Sequence, residues 1–248
     1  MWIPGFKKKF GIFVFRSYNN SMVKRYLLAV SLSLILSGCV SLQRPSAIVT
    51  PERFPSGTIQ NPIVDSSITL SEALRKYAPL ELKKKQQIVN VFYYSFDGRV
   101  HRGQLVVDRR LVKDIQQVFD VVLETKFPVK SVIPISHDRF HQNGAYNSDN
   151  QSMLANNTAG FNYRKVTGGK GLSMHAYGFA IDINPVQNPY IKGKIVLPAG
   201  AVYNPAKPGT LTSTGPVVRE FKRLGWTWGG NWKSLKDYQH FEKVLDKF

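Results

Sequence analysis

The chain has 248 residues, of which 43% are hydrophobic and 20% charged, and its formal net charge is +18. This composition is ordinary for a globular protein, and the length allows one sizeable core with appendages. The single cysteine excludes a disulfide within the chain, so packing or a bound metal must stabilise the fold.

Residues 1–38 have the layout of a secretory signal peptide, in which two basic residues precede a short apolar run at 26–38. The run is too short for a typical membrane span. Its end, Leu36-Ser37-Gly38-Cys39, resembles the lipobox of bacterial lipoproteins, where the cysteine becomes the lipidated first residue. We therefore expect an exported protein anchored to a membrane through Cys39. Met22 is an alternative start, because the residues before it look unusual ahead of a signal sequence.

The charge is also uneven, because residues 1–38 hold six basic and no acidic residues and leave about +12 on the remainder. A positive surface suits lipid head groups, wall polymers or acidic peptides, and export argues against nucleic acid as a partner. Val40 lacks the aspartate that is associated with inner-membrane retention of enteric lipoproteins. The lipoprotein resemblance therefore implies the cell envelope, either on the outer side of the inner membrane or, in a cell with two membranes, at the outer membrane facing the periplasm.

Residues 39–66 contain four prolines and no sustained periodicity after the cysteine, which predicts a flexible linker. Thr69 and Glu72 then fit a capping box that opens a short helix. Two apolar runs on either side of Asp97-Gly98 predict a β-hairpin over 88–108. The folded domain has therefore begun by the hairpin.

The clearest helix follows Asp108, which can cap it, and its apolar residues recur at helical spacing over 111–122. Residues 141–171 are rich in Asn, Ser and Gly, which predicts ordered loop and turn rather than regular structure. The sequence FAIDINP at 179–185 alternates strictly, so Asp182 should point from a strand whose other face is apolar.

Two more elements close the chain. Pro216 and Gly225 bracket an apolar pattern that is typical of a helix with proline at its start and glycine past its end. A final strand is predicted near QHFEKV, in which His240 and Glu242 would share one face.

Three residues are candidate metal ligands: His175, Asp182 and His240. A lone histidine is more often a structural hydrogen-bonding residue than a ligand, so each is a weak signal alone. Two histidines and one aspartate together match a hydrolytic zinc site, which uses three protein ligands and keeps one position open for water. Gly178 lets the backbone turn closely between the first two. Spacing alone does not establish that the three converge.

The pattern S-x-H-x-x-G-x-A-x-D at 173–182 resembles the zinc D,D-peptidases of the VanY and L-alanyl-D-glutamate endopeptidase group, in peptidase family M15. Residues 237–242 resemble that group's second motif, and further matches lie at 152–164 and 226–232. The resemblance covers roughly residues 100–248 and implies an α+β domain of the Hedgehog and D,D-peptidase type, and we expect that domain to extend over residues 67–248. A small, mainly antiparallel sheet would carry the zinc site, with helices packed on it.

The resemblance also implies a role for each site residue: one Zn²⁺ bound by His175, Asp182 and His240, Asp237 as general base, and Arg164 polarising the scissile carbonyl. Glu242 is a rival base, because in a regular strand it shares a face with the last ligand and Asp237 does not. Asp237 can act as the base only if residues 237–239 form a turn that enters the strand. Ser173, Asn162 and Glu242 are candidates for orienting the ligands or contacting the substrate.

Other chemistry-bearing residues have simpler interpretations. His137 and His141 are spaced for one helix face and could hold a second metal, but Pro134 and the following Asn/Gly-rich stretch argue against a long helix there. Three tryptophans, at 226, 228 and 232, predict core or cleft wall rather than a sugar platform.

The resemblance predicts hydrolysis of peptidoglycan stem peptides by a D-alanyl-D-alanine carboxypeptidase. An L-alanyl-D-glutamate endopeptidase is the alternative within the group, and the sequence does not choose between them. A non-catalytic wall-binding lipoprotein on the same fold is the rival from another class. A purely structural metal is disfavoured, since such sites usually have four protein ligands, often cysteines. We expect a monomer whose partners are wall peptides and the membrane.

Overall fold

The computed structural model describes residues 54–74, 78–141 and 148–246. The predicted signal peptide, the lipobox with Cys39 and the first part of the linker lie outside the described residues. In the described part, no helix has the length and apolar character needed to cross a bilayer.

The fold is α+β, which confirms the predicted class. The helices are short, except one, and run over α1 (Leu70–Ala73), α2 (Leu80–Lys83), α3 (Val112–Glu124), α4 (Ser148–Leu154) and α5 (Pro216–Arg223). The strands are β1 (Ile63–Val64), β2 (Gln86–Tyr94), β3 (Val100–Asp108), β4 (Ser131–Val132), β5 (Asn157–Thr158), β6 (Ala180–Asp182), β7 (Tyr190–Lys192), β8 (Ile195–Leu197), β9 (Thr227–Trp228), β10 (Lys236–Asp237) and β11 (His240–Glu242).

The strands form several small sheets rather than one. Strands β1, β3 and β2 form the first in that order, β6, β11 and β9 the second, β10, β7 and β8 the third, and β4 pairs with β5. The second and third sheets are antiparallel throughout and border the site described below.

The predicted hairpin and helices are present. Strands β2 and β3 pair antiparallel over their whole length, with Ile88 opposite Val106. The Asp108 side chain accepts a hydrogen bond from the backbone N–H of Arg110, and α3 follows after one tight turn. Thr69 and Glu72 form the expected capping box at α1. Helix α5 begins at Pro216 as predicted.

One core joins the hairpin, α3, α5 and the β6-β11-β9 sheet. Phe221 of α5 stacks on Phe241 of β11 with ring centroids 3.9 Å apart, and Ile181 of β6 is also fully buried. Phe241 and Ile181 lie opposite each other in the register of β11 and β6. The residues on either side of them in the sequence therefore point to the other face of the sheet.

Two sequence interpretations need correction. The predicted linker ends too late, because β1 pairs parallel with β3 and the Ser66 hydroxyl donates to Gln104 Oε1 at 2.7 Å. Residues 141–171 are not all loop, because they include α4 and β5. Neither segment has apolar periodicity, so long-range polar contacts determine both. In the second, Asn157 donates from Nδ2 to the carbonyl of Ile133 at 2.8 Å.

The strand β1 region is held by a buried polar network. The Tyr93 hydroxyl is hydrogen-bonded to Asp65 and accepts from the backbone N–H of Val132 at 3.1 Å. His101 Nδ1 lies 3.0 Å from the other oxygen of the same aspartate. Burial raises the pKa of Tyr93 well above its ordinary value, so the hydroxyl keeps its proton.

Replacing Tyr93 with phenylalanine is expected to lower the free energy of unfolding by about 1–3 kcal/mol, because it leaves a buried N–H and a carboxylate oxygen without their partner. Urea denaturation would measure the change. Tyr94→Phe is the matched control, since the described part of the chain provides no hydrogen bond to that hydroxyl. Equal losses in the two variants would contradict the role assigned to the network.

Candidate metal centre

The structure brings the three candidate ligands together. Asp182 of β6 and His240 of β11 are directly opposite each other in the antiparallel pair, so their side chains share one face. His175 lies in a tight turn at 174–177 that leads into β6. That turn ends at Gly178 with φ +74°, and a Cβ there would lie 2.1 Å from Gln86 Oε1. Only glycine fits this approach to β2.

The spacing of the ligand atoms suits one ion. His240 Nδ1 lies 3.0 Å from Asp182 Oδ1, and His175 Nε2 lies 3.2 Å from both His240 Nδ1 and Asp182 Oδ2. Metal–ligand bonds of about 2.0–2.1 Å in a tetrahedral site separate ligand atoms by roughly 3.3–3.4 Å. These distances involve both oxygens of Asp182, and one ligand atom from each residue lies within 4.8 Å of the other two. The N and O donors fit zinc.

Neighbouring groups fix which ring nitrogen of each histidine faces the site. His175 Nδ1 donates to the backbone carbonyl of Gly160 at 2.7 Å, which leaves Nε2 free to bind a metal. His240 Nε2 lies 3.0 Å from Glu242 Oε2, which leaves Nδ1 for the metal. Such carboxylate and carbonyl partners orient metal-binding histidines and raise their basicity.

Electrostatics in the metal-free protein favour a cation at this position. Burial would lower the pKa of His240, but its hydrogen bonds to Asp182 and Glu242 outweigh burial and raise the pKa to about 10. Burial acts to raise the pKa of Asp182, yet the two histidines hold it well below its ordinary range. The metal-free cluster therefore keeps a proton that an incoming metal would displace.

Asp237 lies beside the ligands but lacks their hydrogen bonds. It ends β10, opposite Tyr190 of β7, and a turn at residues 238–239 leads into β11. Its Oδ1 is buried without a hydrogen-bond partner in the described part of the chain. Burial raises the pKa of this carboxyl group to about 6. A buried carboxylate oxygen without a hydrogen bond costs free energy, and groups perturbed in this way cluster at functional sites.

A close backbone contact holds Asp237 in place. A Cβ at Gly229 would lie 2.5 Å from the backbone oxygen of Asp237 and 2.9 Å from its Cβ. Glycine is therefore required at residue 229 for the turn before β10 to pack against the carboxylate. This contact explains part of the Trp-rich motif, which the sequence interpretation left as core or cleft wall.

Glu242 differs from Asp237 because its carboxylate is hydrogen-bonded to a candidate ligand. Its carboxylate contacts His240 Nε2, and this hydrogen bond lowers its pKa against the opposing effect of burial. Both carboxylates line the same cavity. The sequence left them as rivals. In the structure Glu242 is hydrogen-bonded to His240, whereas Asp237 interacts with Gln239 and its Oδ1 has no hydrogen-bond partner among the described residues.

The remaining candidate residues contact the turn at residues 174–177 that carries His175, called the ligand turn below. The Ser173 hydroxyl accepts from the backbone N–H of His175 at 3.4 Å and so caps the turn. Asn162 is buried, and its backbone N–H donates to the carbonyl of His175 at 3.0 Å. Arg164 lies two residues further along the same segment, where its carbonyl accepts from the N–H of Ser173 at 3.0 Å.

A cavity of about 480 Å³ opens over the cluster. Its wall includes the ligands and both carboxylates, together with charged and aromatic side chains from the surrounding loops and strands, namely Asp149, Arg164, Tyr190, Lys192 and Trp232. Trp232 lies with its ring centroid 5.4 Å from that of His240. Trp226 and Trp228 are buried in the core. The size suits a short peptide.

Two further points concern residues that the sequence weighed differently. Within the described ranges, the three ligands form the sole group of three or more metal-binding side chains, so His137 and His141 gain no support as a second site. Asp149, by contrast, had not been singled out. It lies on α4, a helix without an apolar pattern. Because the sequence predicted loop there, no periodicity indicated that Asp149 would face the site.

Comparison with known proteins agrees with the geometry. Residues 167–243 match a family model described as D-alanyl-D-alanine carboxypeptidase, which supports peptidase family M15. The matched range includes the three ligands, Asp237 and Glu242, and begins just after Arg164. No solved structure matches the chain.

Proposed function

We propose that this chain is a zinc-dependent D-alanyl-D-alanine carboxypeptidase that acts on peptidoglycan stem peptides. The observation that carries the proposal is the position of the buried Asp237 carboxylate, whose Oδ1 has no hydrogen-bond partner among the described residues, beside three candidate ligands whose donor atoms lie within 4.8 Å of one another. A hydrolytic metal site needs both, because the ion activates water and a base takes the proton. The match to the carboxypeptidase family model supports the same activity.

In this mechanism each residue has one role. The bound zinc would supply Lewis acidity, which acidifies water and polarises the scissile carbonyl. Asp237 accepts the proton of the attacking water and passes it to the leaving amine. Arg164 donates hydrogen bonds to the oxygen on which negative charge develops. Glu242 keeps the His240 ring oriented through Nε2, and the carbonyl of Gly160 does the same for His175.

Charge in the cavity favours a carboxypeptidase over an endopeptidase. A carboxypeptidase must bind the free carboxylate at the end of its substrate, which requires a cation besides the one at the scissile carbonyl. Lys192 lines the cavity and follows Tyr190 by two residues on β7, so both lie on the same face. Tyr190 is the cross-strand partner of Asp237. The strand thus places a cation near the proposed base.

The location is part of the proposal. A lipid anchor at Cys39 would hold the protein at the outer membrane facing the periplasm, where its substrate lies. The positive balance of about +12 beyond residue 38 suits that anionic surrounding. We propose a monomer, with wall peptides and the membrane as its partners.

The test is mass spectrometry of purified muropeptides after incubation with the full chain in detergent, with zinc and with a chelator. Loss of one D-alanine that stops with the chelator is the expected result. Release of a peptide stem at L-alanine would replace the carboxypeptidase with an endopeptidase. If the folded, zinc-loaded protein cleaves no muropeptide, the enzyme proposal fails and the wall-binding lipoprotein takes its place.

A further inference from the structure

Asp149, in the first turn of α4, contacts two residues of the segment that leads to the metal centre. Its Oδ1 accepts a hydrogen bond from Asn162 Nδ2 at 2.7 Å. Its Oδ2 lies 3.0 Å from Arg164 Nε. The side chains of Asp149 and Arg164 are 27% and 24% exposed, so this ion pair lies in the cavity wall rather than on the open surface. A partly buried pair is screened less by salt than an exposed one.

The carboxylate is tied to the ligand turn through Asn162. That residue is 2% exposed, and its backbone N–H donates to the carbonyl of His175 at 3.0 Å. Arg164 is fixed to the same turn by its own backbone, whose carbonyl accepts from Ser173. Asp149 therefore links the guanidinium to the backbone that carries a metal ligand.

Helix α4 is itself held at the site by other residues. Ser152 is buried and accepts from Asn157 Nδ2 at 3.0 Å. Met153, four residues after Asp149 and so on the same helix face, lines the cavity with its sulfur 3.9 Å from Gln239 Nε2. Gln239 lies next to the ligand His240 in the chain. The helix thus presents Asp149 from a docked position.

The contacts leave part of the guanidinium available. Arg164 Nη1 donates to the carbonyl of Lys165 at 3.1 Å, and Nε is within ion-pair distance of Asp149 Oδ2 without making a hydrogen bond to a described residue. Among the described residues, Nη2 has no hydrogen-bond partner. An arginine side chain has several rotatable bonds, and without a fixed partner it would occupy many rotamers.

We infer that Asp149 is a positioning residue that holds the Arg164 guanidinium in the orientation needed to meet the scissile carbonyl. This inference rests on the proposed function, in which Arg164 polarises that carbonyl. Asp149 touches neither the ligand atoms nor, by this account, the substrate, and it acts through Arg164. Residues that orient a catalytic group in this way typically contribute about 10–100-fold to activity.

The first variant is Asp149→Asn, which keeps an oxygen for Asn162 Nδ2 and removes the charge facing Arg164. We expect kcat on a muropeptide to fall about 10–100-fold, with unchanged zinc content and thermal stability. Asp149→Glu is expected to recover part of the loss, because it restores the charge. Asp120→Asn, at an exposed carboxylate on α3, is the control and should retain full activity.

A double-mutant cycle with Arg164→Ala separates positioning from a structural role. If Asp149 acts through Arg164, adding Asp149→Asn to Arg164→Ala lowers kcat no further. If the fold-decreases in kcat of the two single variants instead multiply in the double variant, Asp149 acts by another route and the inference is overturned.

A second measurement does not depend on catalysis. The Nε–H of Arg164, assigned in ¹⁵N NMR spectra by its loss in Arg164→Lys, is expected to be rigid in the wild type and mobile in Asp149→Asn. Equal rigidity in both proteins would refute the positioning role whatever the activity. If Asp149→Asn makes the Arg164 Nε–H mobile but the wild-type protein cleaves no muropeptide, the positioning role stands and the proposed function is rejected instead.

Discussion

Replacing Asp237 with asparagine is expected to lower kcat about 10²–10⁴-fold while one zinc per chain remains bound. The substitution removes the proposed proton acceptor and leaves the three candidate ligands intact. Stopped assays on muropeptides, with zinc measured by elemental mass spectrometry on the same samples, would test it. Because an ionised carboxylate that is buried with one oxygen lacking a hydrogen bond costs stability at neutral pH, the variant should melt no lower than the wild type.

Glu242→Gln is the matched control, since Glu242 lines the same cavity but already contacts His240. Its expected effect is a zinc affinity about 10–100-fold weaker, with activity recovered at high zinc. If instead Glu242→Gln binds zinc but is inactive, while Asp237→Asn remains active, the base would be assigned to Glu242.

The same residue should govern the acidic limb of the pH profile. Burial raises the pKa of Asp237 to about 6 in the metal-free protein, and a nearby cation would move it downward. A base works only when deprotonated, so kcat/KM should fall as the pH drops below about 6. Asp237→Asn should lose this limb from its residual activity. A limb that persists unchanged would show that another group titrates.

Short-range patterns account for what the sequence predicted well. The hairpin, α3 and the alternation around Asp182 each depend on residues within one element, whose period determines which side chains are buried. Phe179, Ile181 and Ile183 are all buried, as the alternation predicted. The three candidate ligands were predicted from the motif at 173–182 and the motif at 237–242. The register of β6 against β11 explains why Asp182 and His240 converge.

Long-range contacts account for what it did not predict. Strand β1 has two residues and pairs with a strand almost forty positions later, so no local pattern marks it. Helix α4 lacks an apolar face, and its docking depends on Met153 contacting Gln239 and on Asp149 contacting Asn162, which lie 86 and 13 positions away in the chain. A polar stretch of this kind looks like loop in sequence, although its partners make it part of the site.

The choice between the two carboxylates illustrates the same limit. Strand periodicity favoured Glu242, because residues two apart share a face. The turn at 238–239 interrupts that period, so Asp237 belongs to a different strand and reaches the cavity from β10. The Gly229 contact that holds it is also invisible to periodicity. Both side chains line the cavity, and the structure distinguishes them by their contacts.

Replacing His175 with alanine is expected to abolish stoichiometric zinc binding and, with it, peptide hydrolysis. Loss of a group that merely orients a ligand weakens zinc sites about 10–100-fold, so loss of a ligand should weaken this one further. Zinc per chain after dialysis would measure the change. His141→Ala is the matched control, because that histidine is exposed and outside the cluster. A His175→Ala protein that kept its zinc, or a His141→Ala protein that lost it, would place the metal elsewhere.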